Sequence, residues 1–125
     1  MYLIDTDILI RYLKNDEKAV NFIKIIKETD LSTSIICVGE LVEGLDQKKI
    51  PFFIKSIQEI DIFNLNLDVI VKFAEIRRQL RKSGKLLDNF DILIAATCIV
   101  NDLTLVTGNH KHFDRVSGLK ISTKL

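Results

Sequence analysis

Three acidic residues stand in surroundings that should exclude water. Asp91 lies in the run Phe90-Asp91-Ile92-Leu93-Ile94-Ala95-Ala96, Asp5 ends Tyr2-Leu3-Ile4, and Glu40 follows Ile35-Ile36-Cys37-Val38-Gly39. A carboxylate that loses its water without gaining a partner is costly, so each needs a metal, a base or a proton. Three acids in three apolar settings point to one shared site. Two carboxylates about 5 Å apart repel by roughly 3 kcal/mol at an effective dielectric of about 20, and three such pairs cost about three times as much. A divalent cation removes that penalty. Hard oxygen donors with no His or Cys nearby favour magnesium, with manganese as a substitute, over zinc.

The elements that must position these acids alternate between short apolar runs and longer segments of helical period. That pattern predicts an α/β fold, a parallel sheet of four to five strands sandwiched by helices. Tyr2 to Ile4 reads as the first strand and Asp7 as the cap of a helix from Ile8 to Leu13, with a second helix from Asp16 to about Lys27. Leu31 to Ser34 is strand two, and Ile35 to Leu45 a helix ending near Gly44. Pro51 opens the next helix at Phe52, and Ile60 to Leu65 is strand three. From Leu67 to Lys82, Ile70, Val71, Ala74, Ile76 and Leu80 form one helical stripe, stopped at Ser83-Gly84. Asp88 or Asn89 caps a helix to about Val100, Leu103 to Val106 is strand four, and Leu119 to Ile121 a short fifth. Asp5 and Thr107-Gly108-Asn109 then fall at carboxyl ends of strands, where open α/β sheets build their sites, and Glu40 and Asp91 lie early on helices leaving the same edge.

A length of 125 residues suits a single domain spanning 1–125, and 47% hydrophobic with 28% charged residues is an ordinary globular balance. A net charge of +1 means that any nucleic acid must be held by a local patch and not by the field of the whole molecule. Arg77, Arg78, Arg81, Lys82 and Lys85 supply such a stretch, with no acid between them, just before the turn at Asp88. Cys37 and Cys98 lie among aliphatic residues without ligand spacing, as inert buried thiols do, and His110 and His112 read as solvated loop residues. There is no basic-then-apolar leader, and the longest apolar run, about Ile92 to Val100, is too short for a bilayer, so a cytoplasmic protein with no membrane contact is expected.

Four segments in series, Leu3-Ile4-Asp5-Thr6-Asp7, Glu40-Leu41-Val42-Glu43-Gly44, Phe90-Asp91-Ile92-Leu93-Ile94-Ala95-Ala96 and Leu105-Val106-Thr107-Gly108-Asn109 with Phe113, cover nearly the whole chain. In this the chain resembles PIN-domain proteins of the VapC toxin type. The resemblance implies a magnesium-dependent endoribonuclease of a toxin–antitoxin module, a homodimer, and a cognate antitoxin that blocks the site. It places the family's acidic ligands on Asp5, Glu40 and Asp91. Two positions depart from the pattern: Asp7 stands where Asn is more usual, adding charge, and the fourth acidic position falls on Asn109, which can ligate through its amide oxygen but leaves a second metal weakly held. In this reading Thr6, Thr107 and Asp88 support the ligands, and the basic stretch from Arg77 to Lys85 holds RNA phosphates.

Two other readings are weaker. Asp5-Thr6-Asp7 after a strand also resembles the nucleophile motif of haloacid-dehalogenase-like phosphatases, but that leaves Glu40 unexplained and finds neither the usual Thr or Val after Asp7 nor a phosphate-binding Lys motif. A non-catalytic module acting only through its partner has no use for three intact acids.

Overall fold

The strand expected from Tyr2-Leu3-Ile4 forms at the centre of a sheet whose faces are both covered by helices. In this computed structural model, residues 1–26 and 28–124 are described. Five strands, β1 (Tyr2–Ile4), β2 (Leu31–Ser34), β3 (Asp61–Phe63), β4 (Thr104–Val106) and β5 (Lys120–Ile121), run parallel in the order β3-β2-β1-β4-β5. Among the described residues seven α-helices connect them: α1 (Thr6–Leu13), α2 (Glu17–Ile25), α3 (Ile35–Glu43), α4 (Ile50–Ile57), α5 (Leu67–Lys82), α6 (Asn89–Val100) and α7 (His110–Phe113).

The central strands are apolar because they are covered on both faces. Leu3, Ile4, Leu105 and Val106 are all buried. β2 is equally buried although three of its four residues carry hydroxyls. Its polarity is absorbed locally, since Ser32 Oγ donates to the Tyr2 carbonyl and Thr33 Oγ1 to the Ile4 carbonyl, each at 2.8 Å. The chain steps outward from β1 to β3 and then returns through α5 and α6 to lie on the other side of β1 as β4. The strand order therefore reverses between β1 and β4, and the loops after these strands part there and leave a crevice.

Three local expectations are corrected. Helix α1 starts at Thr6, not Ile8, because Asp5 and not Asp7 is its N-cap: Asp5 Oδ1 accepts the Thr6 N–H at 2.8 Å. The buried stripe of α5 is Val69, Ile76 and Leu80 with Phe73 packed alongside, while Ile70 and Val71 are exposed. Periodicity gave the helix but not its rotation, since Val69, Ile70 and Val71 are three adjacent apolar residues and only one can face the core. The segment around His110 and His112 forms the short helix α7, pinned by the buried ring of Phe113. The end of the second helix expected at Lys27 lies outside the described residues; α2 itself runs to Ile25.

Helix α6 is apolar nearly all round, and Ile92, Ile94, Ala95, Ala96, Thr97 and Cys98 are all buried. It packs on both α5 and α3. That central position carries Asp91, in its first turn, toward the edge where β1 and β4 end.

Candidate active site

Asp5 is the hub, because it follows the central strand and is held from three directions. Its backbone N–H continues the β1–β4 ladder to the Val106 carbonyl at 3.0 Å, so the residue is fixed to the sheet before its side chain is considered. Oδ1 caps α1, and Oδ2 accepts the Thr107 hydroxyl at 2.7 Å from the loop after β4. The Cys37 thiol, in the first turn of α3, donates to Oδ1 at 3.8 Å. Asp5 is only 4% exposed, and this burial is the main force raising its carboxyl to about 7. The Thr107 hydrogen bond opposes that rise, while the charges of Asp7 and Asp91 add to it.

Glu40 reaches the same place from α3. The Thr6 hydroxyl donates to its Oε1 at 2.9 Å, so the residue after Asp5 links the first two acids. Its carboxyl is raised as well, by burial first and by the neighbouring charges of Asp91, Asp88 and Glu43, against the pull of the Thr6 bond. Asp91 is raised by burial and then by Asp88 and Asp7, with His112 drawing it down. The charge of Asp91 acts on both Asp5 and Glu40 from the first turn of α6. Among the described residues the ion pairs are Arg11–Asp16, Lys72–Glu75 and Lys120–Asp102, none of which neutralises these acids.

Ligand atoms of Asp5, Cys37 and Glu40 lie within 4.8 Å of one another. A cysteine is therefore present beside the oxygen donors, against the expectation of none. Burial pushes its thiol up to about 11, so near neutral pH it is a proton donor to Asp5, and the anionic donors are all oxygen. Hard cations suit that set.

The remaining expected residues fall in different places. Thr6 and Thr107 each hold a site carboxylate. Asp88 caps α6 by accepting the Phe90 N–H at 3.2 Å, and its charge acts on Glu40 and Asp91. Asn109 enters through its backbone, whose N–H donates to Thr107 Oγ1 at 3.1 Å. Arg77 Nε donates to Asn89 Oδ1 at 3.1 Å, which ties the basic face of α5 to the first turn of α6. Arg78, Arg81, Lys82 and Lys85 are exposed.

Sequence reasoning gave too little weight to Asp7. Its Oδ2 accepts the Gly108 N–H at 2.8 Å, a bond spanning 101 positions, and its Oδ1 is buried with no hydrogen-bond partner. The signal was available in Asp-x-Asp at the end of a strand, but the second acid reads as a helix cap until Asp5 is seen to fill that role. His112 is exposed, as expected of a solvated residue, and its charge reaches Asp91 from the short helix α7.

Comparison with known proteins finds relatives over nearly the whole chain. The family model of the PIN domain matches residues 2–119. Ribonuclease VapC1 of Methanocaldococcus jannaschii is 34% identical over 98% of this chain and 87% of its own length. Ribonuclease VapC2 of Rickettsia felis is 30% identical over 95% of this chain and 94% of its own. Among solved structures, VapBC2 from Rickettsia felis, bound to a DNA fragment from its promoter, superposes with a TM-score of 0.85 at 25% identity, covering 97% of this chain and 96% of that one.

Proposed function

The chain belongs to the PIN domain family, and from that membership we propose that it is a VapC-type ribonuclease, the toxin of a toxin–antitoxin pair, which hydrolyses RNA phosphodiester bonds with a divalent cation held by Asp5, Glu40 and Asp91. The observation that supports this reading is the closeness of Asp5 and Glu40, whose ligand atoms lie within 4.8 Å, under the charge of Asp91 from α6, with no base among the described ion pairs to neutralise these acids. The buried, partnerless Asp7 Oδ1 beside them is a second sign that a cation belongs there. Magnesium or manganese, when bound, would supply positive charge against the phosphate and acidify a water.

The chain's own residues do the rest. Thr107 and Thr6 fix the orientation of Asp5 and Glu40, so that these carboxylates lose little freedom when a cation arrives. The neutral Cys37 thiol keeps Asp5 Oδ1 turned toward α3 without adding charge. Asp88 and Asp91 both sit at the N-terminal turn of α6, whose dipole offsets part of their repulsion. Arg77, Arg78, Arg81, Lys82 and Lys85 are the groups we assign to the RNA backbone, and Arg77 is already bonded to the helix that bears Asp91. A cognate antitoxin and a second copy of the chain are the proposed protein partners. No helix among the described residues is long and apolar enough to cross a membrane.

The test is to incubate the purified protein with end-labelled RNA and with a phosphate monoester, in magnesium or in chelator. Cleavage of RNA alone, lost in chelator, is expected. Hydrolysis of the monoester would favour the phosphatase chemistry, and inertness toward both would leave only a binding module.

A further inference from the structure

Asp7 has a carboxylate with two different fates. One oxygen, Oδ2, is locked onto the Gly108 N–H at 2.8 Å, and the other, Oδ1, is buried with no donor. The first bond holds the carboxyl group against the loop after β4 while the second oxygen stays buried. The cap of α1 is Asp5, so Asp7 is not held in place by capping duty. The loop opposite is shaped around it. A Cβ on residue 108 would lie 2.5 Å from Asp7 Oδ2, a distance no side chain tolerates. The backbone conformations that require glycine occur at Gly84 and Gly118, so at Gly108 the missing side chain serves close approach to Asp7.

We propose that Asp7 is a cation-binding residue of the site formed by Asp5, Glu40 and Asp91, its Oδ1 acting as a fourth anionic donor and filling the charge that Asn109 leaves out. This rests on the functional reading above and specifies one more of its ligands. Thr107 donates to Asp5 Oδ2 and the next residue, Gly108, donates to Asp7 Oδ2, so two successive residues of the loop after β4 hold the two carboxylates. Four acids around a cation give a net charge that three acids and an amide cannot. The alternative is that Asp7 only latches α1 to the loop after β4, and the two roles predict opposite patterns.

Asp7→Asn separates them, because the amide oxygen still accepts the Gly108 N–H while the charge disappears. Manganese binding is measured by calorimetry on the intact protein, and thermal unfolding is followed in chelator. If Asp7 is a ligand, Asp7→Asn weakens manganese roughly tenfold or more and raises the melting temperature of the metal-free protein, since one member of a repelling cluster is gone. The double variant Asp7→Asn with Asn109→Asp should recover much of the affinity. Unchanged manganese affinity in a folded Asp7→Asn protein overturns the proposal, as does a metal-free melting temperature that falls with no change in affinity. If Asp7→Asn unfolds, Asp7→Glu, which keeps the charge but displaces it by one methylene, carries the test, and manganese affinity equal to wild type in that folded variant overturns the proposal. Wild-type protein that binds no manganese at millimolar concentration overturns the functional reading along with this one, whereas binding lost in Asp5→Asn but retained in Asp7→Asn removes Asp7 alone.

Discussion

The stability of the metal-free protein should fall as pH rises from about 4 to 7, because of Asp5. Its carboxyl moves from an ordinary value of 3.8 in the unfolded chain to about 7 in the folded one. Between those values the folded state binds a proton that the unfolded state has released, so unfolding loses that proton and stability decreases with pH. The contribution is fully present below 3.8 and gone above about 7. At about 1.4 kcal/mol per pH unit, the displacement is worth at most about 4 kcal/mol. Exposed carboxylates paired with bases, such as Asp16 and Asp102, shift the other way and act at lower pH, so the comparison must be made against Asp5→Asn. Urea unfolding in chelator at half-unit steps from pH 4 to pH 8 gives the two curves. The wild type should lose stability relative to Asp5→Asn across this window, and manganese should reverse much of the loss by binding the ionised form. A constant difference between the two proteins from pH 4 to pH 8 would refute the argument, since it would mean that Asp5 titrates alike in both states.

Asp91→Asn should abolish RNA cleavage while leaving the circular dichroism spectrum and the folded state intact, because it removes charge and keeps size at the first turn of α6; cleavage at the wild-type rate by the folded variant would remove Asp91 from the site. Millimolar magnesium or manganese should raise the melting temperature of the wild type but not of Asp5→Asn, as seen by scanning fluorimetry. Neutralising Arg78 and Lys82 together should weaken RNA binding and flatten its dependence on salt by about two counterions, with single-turnover cleavage at saturating RNA unchanged; an unaltered slope would return this face of α5 to solvent. Gly108→Ala should destabilise the protein by about 1–3 kcal/mol, measured by urea titration, because the new methyl meets Asp7 Oδ2.

Much of the fold was legible because the strands are short and apolar and the helix boundaries carry their own chemistry. Ser83-Gly84 ended α5 and Asp88 capped α6 as their types require. Asp5, Glu40 and Asp91 were legible because each is an acid that its neighbours cannot satisfy. What was not legible depends on contacts far apart in sequence. Asp5 and Asp7 compete for the same cap in the sequence, and only the Gly108 amide, 101 positions away, shows why Asp7 is occupied elsewhere. The rotation of α5 depends on which of Val69, Ile70 and Val71 meets the core, a matter of tertiary packing that a periodic pattern does not resolve. Helix α7 has four residues, three of them His-Lys-His, too short and too polar for periodicity to register. Cys37 read as an aliphatic filler because its thiol acts on a residue 32 positions before it.

The hydrogen bond from Thr107 to Asp5 joins residues 102 positions apart, and β4 must insert beside β1 before it can form. Chains emerge from the ribosome amino end first and their early parts begin to fold before the rest is made. Asp5, Glu40 and Asp91 are thus all synthesised before the hydroxyl that orients the first of them and the Gly108 amide that holds Asp7. The topology therefore leaves Asp5 and Asp7 without their loop partners until β4 has been made and paired with β1, so orientation of the site waits on a late part of the sequence.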